Sequence, residues 1–249
     1  MARQKGIIKI TGTVGGLNFY IAKGEAFVRQ AGGGFNGDAI RTKESMRRVR
    51  ENATEFGAAS MALKQFRRSL LPVFSPPKYR PLQTRLMGLF MELKVLDGIS
   101  TPGNRRVAQG IATLKGKQLL KDFVFLPDCM ALNYIASRAQ FDWETQTLHF
   151  AAMDLRNETF ITGSSHLALS FMVIDFDFET LTYTSQVSET VMLGKDEVAA
   201  FSLDVAEVVP PQHTGIVALG LRFCEVLGEE VYPARGISGL GCRIVEVIS

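Results

Sequence analysis

Three carboxylates stand at alternate positions in this chain, Asp175, Asp177 and Glu179. Alternate residues of a β-strand point to one side, and hard cations such as calcium take clustered carboxylates. The stretch lacks the glycine and the distant glutamate of a calcium loop, so it reads as the solvated end of a strand, suited to an electrostatic contact. Its basic counterpart is Arg41, Lys43, Arg47, Arg48 and Arg50. In helical spacing Arg47 and Arg50 are neighbours while Arg41 and Arg48 share a second azimuth, which gives a stripe able to hold phosphate. The same spacing lets Glu44 reach Arg48 and Arg47 reach Glu51, which would neutralise the stripe from within. Cations in the first turns of a helix also oppose its dipole, at about 0.3–1 kcal/mol per exposed charge, and an acidic partner would offset that cost.

The other polar motifs point away from catalysis. GTVGG, residues 12–16, lacks the Gly-Lys-Ser/Thr ending of a phosphate-cradling loop and leads into a strand, as does GISGLG at residues 236–241. His149, His166 and His213 each stand alone in their segments, outside any zinc-site spacing, and no GxSxG elbow surrounds a serine. Cys129, Cys224 and Cys242 are odd in number and lack a CxxC pair, which suits buried free thiols in a reduced compartment. Arg67-Arg68, Tyr79-Arg80 and Arg105-Arg106 extend the basic surface without spelling a known nucleic-acid module. No cofactor, metal or small-molecule substrate is expected, and the chain is not expected to be an enzyme.

These groups must be positioned by three successive kinds of element. Over residues 1–34, short β-prone runs around Ile7, Ile8 and Ile10, then Leu17, Phe19 and Ile21, then Phe27 and Val28, are separated by glycine turns. They predict a glycine-rich hairpin arm, with Lys23-Gly24-Glu25 as its turn and Asn18, Tyr20 and Ala22 opposite the Leu17 face. Residues 35–125 carry three-four apolar spacing and predict a basic helical domain. Its first helix starts at Asp38 or Thr42 and ends near Leu71, the second runs from Pro81 to Leu96, and one or two short helices break around Gly116. Residues 126–249 change to a period of two and predict an acidic antiparallel β-sandwich, its strands including 166–178, 181–193 and 214–227. The fold class is therefore α+β, without the β-α-β alternation of a nucleotide-binding sheet.

Charge follows the same boundary. Residues 1–125 hold 22 Lys/Arg against 8 Asp/Glu, whereas 126–249 hold 6 against 17, so a net of +3 conceals halves of +14 and −11. The start of the chain has too short an apolar run for a signal peptide, and no stretch is apolar enough for a membrane span. A cytoplasmic protein, or one held within an assembled particle, is expected.

The segments GIIKITGTVGGLNFY, VRQAGGG and RRVRENATEFGAAS together resemble the opening of a family of uncharacterised bacterial proteins. In that family a G-x-x-G-G-x-x-F-Y hairpin leads to a helix bearing R-x-R-E-N and E-F-G. The matching residues here are Gly12, Gly15, Gly16, Phe19 and Tyr20, then Arg48, Arg50, Glu51, Asn52, Glu55, Phe56 and Gly57. The resemblance spans roughly the first 70 residues and implies no activity.

An isolated hairpin is marginal in water, and opposite charges on two halves suit a head-to-tail contact. The expectation is a non-enzymatic structural subunit that self-assembles into a filament, tube or particle shell. Its arm residues would be Ile8, Ile10, Leu17, Phe19, Tyr20 and Phe27, adding a strand to a neighbour. The alternatives are nucleic-acid binding by the basic half and a ligand-binding sandwich.

Overall fold

The computed structural model describes residues 2–6, 8–32, 37–126 and 129–248. Ile7 and residues 33–36, which hold most of the expected AGGGFNG loop and the boundary at 34, lie outside them. The chain forms two compact units, Met1–Ala53 and Thr54–Ser249.

The first unit contains an antiparallel sheet of β1 (Ala2–Arg3), β2 (Gly12–Val14), β3 (Leu17–Ala22) and β4 (Glu25–Gln30), in the order β1-β4-β3-β2. Both of its hairpins close through two-residue turns. Gly15 and Gly16 have φ of 54° and 77°, the backbone that a twist-matched turn demands and that glycine adopts without strain. Lys23-Gly24 closes the second hairpin as expected. Ile8 and Ile10 fall outside the strands: the turn chemistry selects Gly12–Val14 as the partner of β3, leaving the isoleucines in the connection. The helix expected from Asp38 opens instead as α1 (Gly37–Thr42) and a 3-10 turn (Glu44–Met46), followed by α2 (Arg47–Ser69).

The second unit takes in the rest of α2, then α3 (Arg80–Val95), α4 (Val107–Ile111), α5 (Leu114–Lys121) and α6 (Met130–Ser137). Two antiparallel sheets follow. The smaller, in the order β10-β6-β5, uses β5 (Ala139–Asp142), β6 (Thr147–Asp154) and β10 (Val198–Asp204). The larger is built on β7 (His166–Asp177) and β11 (Thr214–Leu227), paired from Thr214↔Phe176 to Cys224↔His166. β8 (Thr182–Val187) and β9 (Val191–Gly194) lie end to end along the outer side of β7, and β12 (Glu230–Pro233) and β13 (Leu240–Ile248) do the same along β11.

Both faces of this sheet are covered, which explains the near-continuous apolar runs of its two long strands. Met172, Ile174, Phe176, Ile216 and Ala218 pack against Leu63, Phe66, Phe90, Leu93 and other helical residues. The alternate residues Leu167, Leu169, Phe171, Val173 and Leu219 share a second core with Leu148, Phe150 and Leu203 of the smaller sheet and with Leu132 and Ile135 of α6. The fold is α+β with antiparallel sheets, as expected. The helices, however, are a layer on the sheet and not a domain of their own: residues 54–126 and the strands share one core, so the chain does not divide near Phe125.

Two buried carboxylates organise the helical layer. Glu55, on α2, accepts a hydrogen bond of 2.5 Å from Lys94 Nζ on α3 and another of 2.7 Å from the Gly103 N–H. Burial alone would raise the Glu55 carboxyl, but these bonds and the charges of Lys94 and Arg105 outweigh it, leaving its pKa below the usual carboxylate range. Asp97, at the end of α3, receives the N–H groups of Ile99, Ser100 and Arg106, which overcome its desolvation and bring its pKa down to about 2. Among the described residues no helix is long and apolar enough to cross a membrane.

Candidate assembly surface

Strand register sorts the first sheet into two unlike faces. Residues directly opposite one another share a face, so Tyr20 and Phe27 lie together, with Asn18, Arg29 and Arg3 beside them. Their rings stack at 5.8 Å, the Arg29 guanidinium lies 5.4 Å from the Tyr20 ring, and Arg3 caps Phe27 at 5.9 Å while pairing with Glu25 at 3.1 Å. That face is internally satisfied. The opposite face presents Val14, Leu17, Phe19, Ile21 and Val28. Val14, Leu17 and Ile21 are 64%, 43% and 54% exposed, and the only buried hydrophobic residues described in this unit are Ala26 and Ala39. Of the six expected arm residues, then, Leu17 and Phe19 share the open face with Ile21, Tyr20 and Phe27 line the closed one, and Ile8 and Ile10 stand exposed off the strands.

The basic group is largely engaged within the chain. Arg41 pairs with Asp38 at 2.5 Å, Arg47 with Glu51 at 3.1 Å and with Glu44 at 3.5 Å, and Arg48 with Glu51 at 3.6 Å. Arg50 Nη1 donates to the carbonyls of Ile40 and Lys43 at 2.6 and 2.9 Å, satisfying backbone acceptors at the end of α1. The expected Arg47–Glu51 contact forms, whereas Glu44 turns to Arg47 instead of Arg48 because the helix starts only at Arg47. Lys43, between α1 and the 3-10 turn, is exposed.

The acidic group separates. Asp175 is buried at the end of β7, where its Oδ1 accepts the His213 N–H at 2.8 Å and its Oδ2 lies 2.9 Å from His213 Nδ1. Asp177 Oδ2 is 3.7 Å from His213 Nε2 and accepts from the Thr180 hydroxyl at 2.7 Å. Glu179 leaves the strand and receives the Gln109 amide at 3.0 Å. With Tyr183, Thr184 and Pro210, this Asp–His group lines an open cleft of about 350 Å³. Among the described residues no set of three His, Cys, Asp or Glu side chains is arranged to hold a metal ion. His149 and His166 each meet a hydroxyl, Ser202 at 2.7 Å and Ser165 at 2.8 Å, and all three cysteines are buried and free.

The Asp175–His213 contact was not legible from spacing, because 38 residues separate the partners. Pairing the two long apolar runs antiparallel would have revealed it, since Asp175 then faces Gly215, two positions from His213. The hydrogen bond to Asp175 raises the His213 pKa above its ordinary value, with the charges of Asp175 and Asp177 adding to it. A raised folded-state pKa means the contact contributes in full below the imidazole's unfolded pKa and fades as pH rises through the folded value. Stability should therefore decline in the wild type as pH rises through the raised His213 pKa, and His213→Ala should remove that component. Imidazole NMR titration with unfolding at several pH values checks this; a His213 that titrates as in a free peptide would refute it. Asp177 moves the other way, its carboxylate favoured chiefly by the Thr180 hydroxyl.

Comparison of the chain with protein-family models, with curated proteins and with solved structures gives no match.

Proposed function

We propose that this protein is a non-enzymatic structural subunit that assembles with copies of itself through the N-terminal sheet. The observation that carries this is the open face of Val14, Leu17 and Ile21 on a sheet whose unit buries almost no apolar side chain of its own. A sheet needs an apolar face packed on something to be stable, and clustered exposed apolar residues on a soluble chain mark interaction surfaces. The occupant is a second copy, because the chain carries its own electrostatic complement: +14 over residues 1–125 and −11 over residues 126–249. A contact between unlike surfaces is heterologous, and repeating it yields a ring or a helical polymer.

Nucleic-acid binding by the basic group is less well supported, since Arg41, Arg47, Arg48 and Arg50 already hold acidic side chains or backbone carbonyls. The test is sedimentation of the wild type and of Leu17→Asp/Ile21→Asp over a concentration series. The wild type should form large species and the variant should remain monomeric with an unchanged circular dichroism spectrum. A wild type that stays monomeric throughout, or a variant that assembles equally, overturns the proposal.

A further inference from the structure

We infer that the surface received by the N-terminal sheet is the β11–β12 hairpin of a neighbouring copy. This rests on the assembly proposed above and assigns its second half. The hairpin pairs Val226 with Val231 and Leu227 with Glu230 across a Gly228-Glu229 turn, and β12 ends the strand order of its sheet. All four residues of β12 are exposed. Leu227 and Tyr232, 62% and 49% exposed, share one face of the hairpin with Glu225 and Glu230, while Val231 lies on the other face with Val226.

Its charge complements the sheet. Between Arg222 and Arg235 the hairpin carries Glu225, Glu229 and Glu230 and no Lys or Arg. The connection from β1 to β2 carries Lys5 and Lys9 and the β3–β4 turn carries Lys23, while the sheet's one carboxylate, Glu25, is already paired with Arg3. The sheet thus joins an exposed apolar centre to lysines, and the hairpin tip joins such a centre to three glutamates, which favours their mutual contact over either surface meeting itself. A two-residue hairpin that ends a sheet is also the shape that can lie on, or extend, another sheet.

The experiment uses the full chain. Leu227→Lys/Tyr232→Lys blocks the hairpin and Leu17→Asp/Ile21→Asp blocks the sheet face, and sedimentation is measured for the wild type, for each variant and for their equimolar mixture. Each variant alone should be monomeric. The mixture should form a one-to-one heterodimer and stop there, because one partner supplies an intact hairpin and the other an intact face. That heterodimer also shows that both variants are folded. Glu229→Lys/Glu230→Lys should weaken assembly at least tenfold at low salt, and Lys23→Glu combined with it should recover part of the loss. A hairpin variant that assembles like the wild type, or a mixture that does not pair, overturns the assignment while the assembly proposal stands. A monomeric wild type overturns the assembly proposal itself.

Discussion

Lys94→Met should destabilise the fold by about 3–5 kcal/mol, because it strands the buried Glu55 carboxylate without its cation. Both side chains are more than nine-tenths buried, and among the described residues the only other donor to Glu55 is the Gly103 N–H. Replacing both, as Glu55→Met/Lys94→Met, should recover most of the loss, since an apolar pair of similar length leaves no charge to solvate. Equilibrium urea unfolding distinguishes the two cases, and equal stability of the single and double variants would refute the account. The pH dependence should also reverse. In the wild type the depressed Glu55 pKa contributes stability above its unfolded value, lost as pH falls through the folded one. In Lys94→Met, desolvation is opposed by the backbone bond and the more distant Arg105 alone, the carboxyl takes up a proton more readily, and acid relieves the penalty.

Gly110→Ala should be at least as damaging, costing about 3 kcal/mol or more. A Cβ at Gly110 would sit 1.8 Å from the Leu93 carbonyl oxygen, and one at Gly116 would sit 2.0 Å from the Gly110 carbonyl oxygen. The three helices α3, α4 and α5 therefore touch backbone to backbone, and no side chain is present to rotate out of the way. Gly57→Ala provides the contrast: α2 leaves open space at that position, so the change should raise stability by about 0.5–1 kcal/mol through the higher helix propensity of alanine. Thermal unfolding of the two variants measures both signs, and a Gly110→Ala protein as stable as the wild type would show that the helices can part at no cost.

Gly116 shows where the sequence was legible and where it was not. Helical spacing and a glycine placed two short helices there, and two are found, but the break lies at Ala112 and Thr113, with Thr113 capping α5. Glycine as a helix breaker and glycine as a point of close approach look identical until the neighbouring helix is known. The same applies to Glu55, which stood out only as part of a family-like motif and proves to hold an ion pair, and to Arg50, which the basic stripe also contained and which proves to hold a helix end. The long strands were legible to within a residue or so because burial on both faces leaves an unbroken apolar run. The expected run 181–193 divides into β8 and β9, since Ser188 turns aside to bond Phe171 and bridge Val205. Helix α6 went unread although Ala131, Leu132 and Ile135 carry helical spacing, because the surrounding period of two was extended across it. β12 is short and wholly exposed, so no burial pattern announced it.

The end-to-end arrangement of β12 and β13 along β11 has a mechanical consequence. A pull on the hairpin tip is transmitted along the axis of β11, which is paired with β7 over eleven residues and with β13 on its other side. Antiparallel backbone bonds run perpendicular to their strands, so such a load shears many of them at once and does not peel them singly. A load applied at this tip would therefore fall on a strand that is paired along both of its sides.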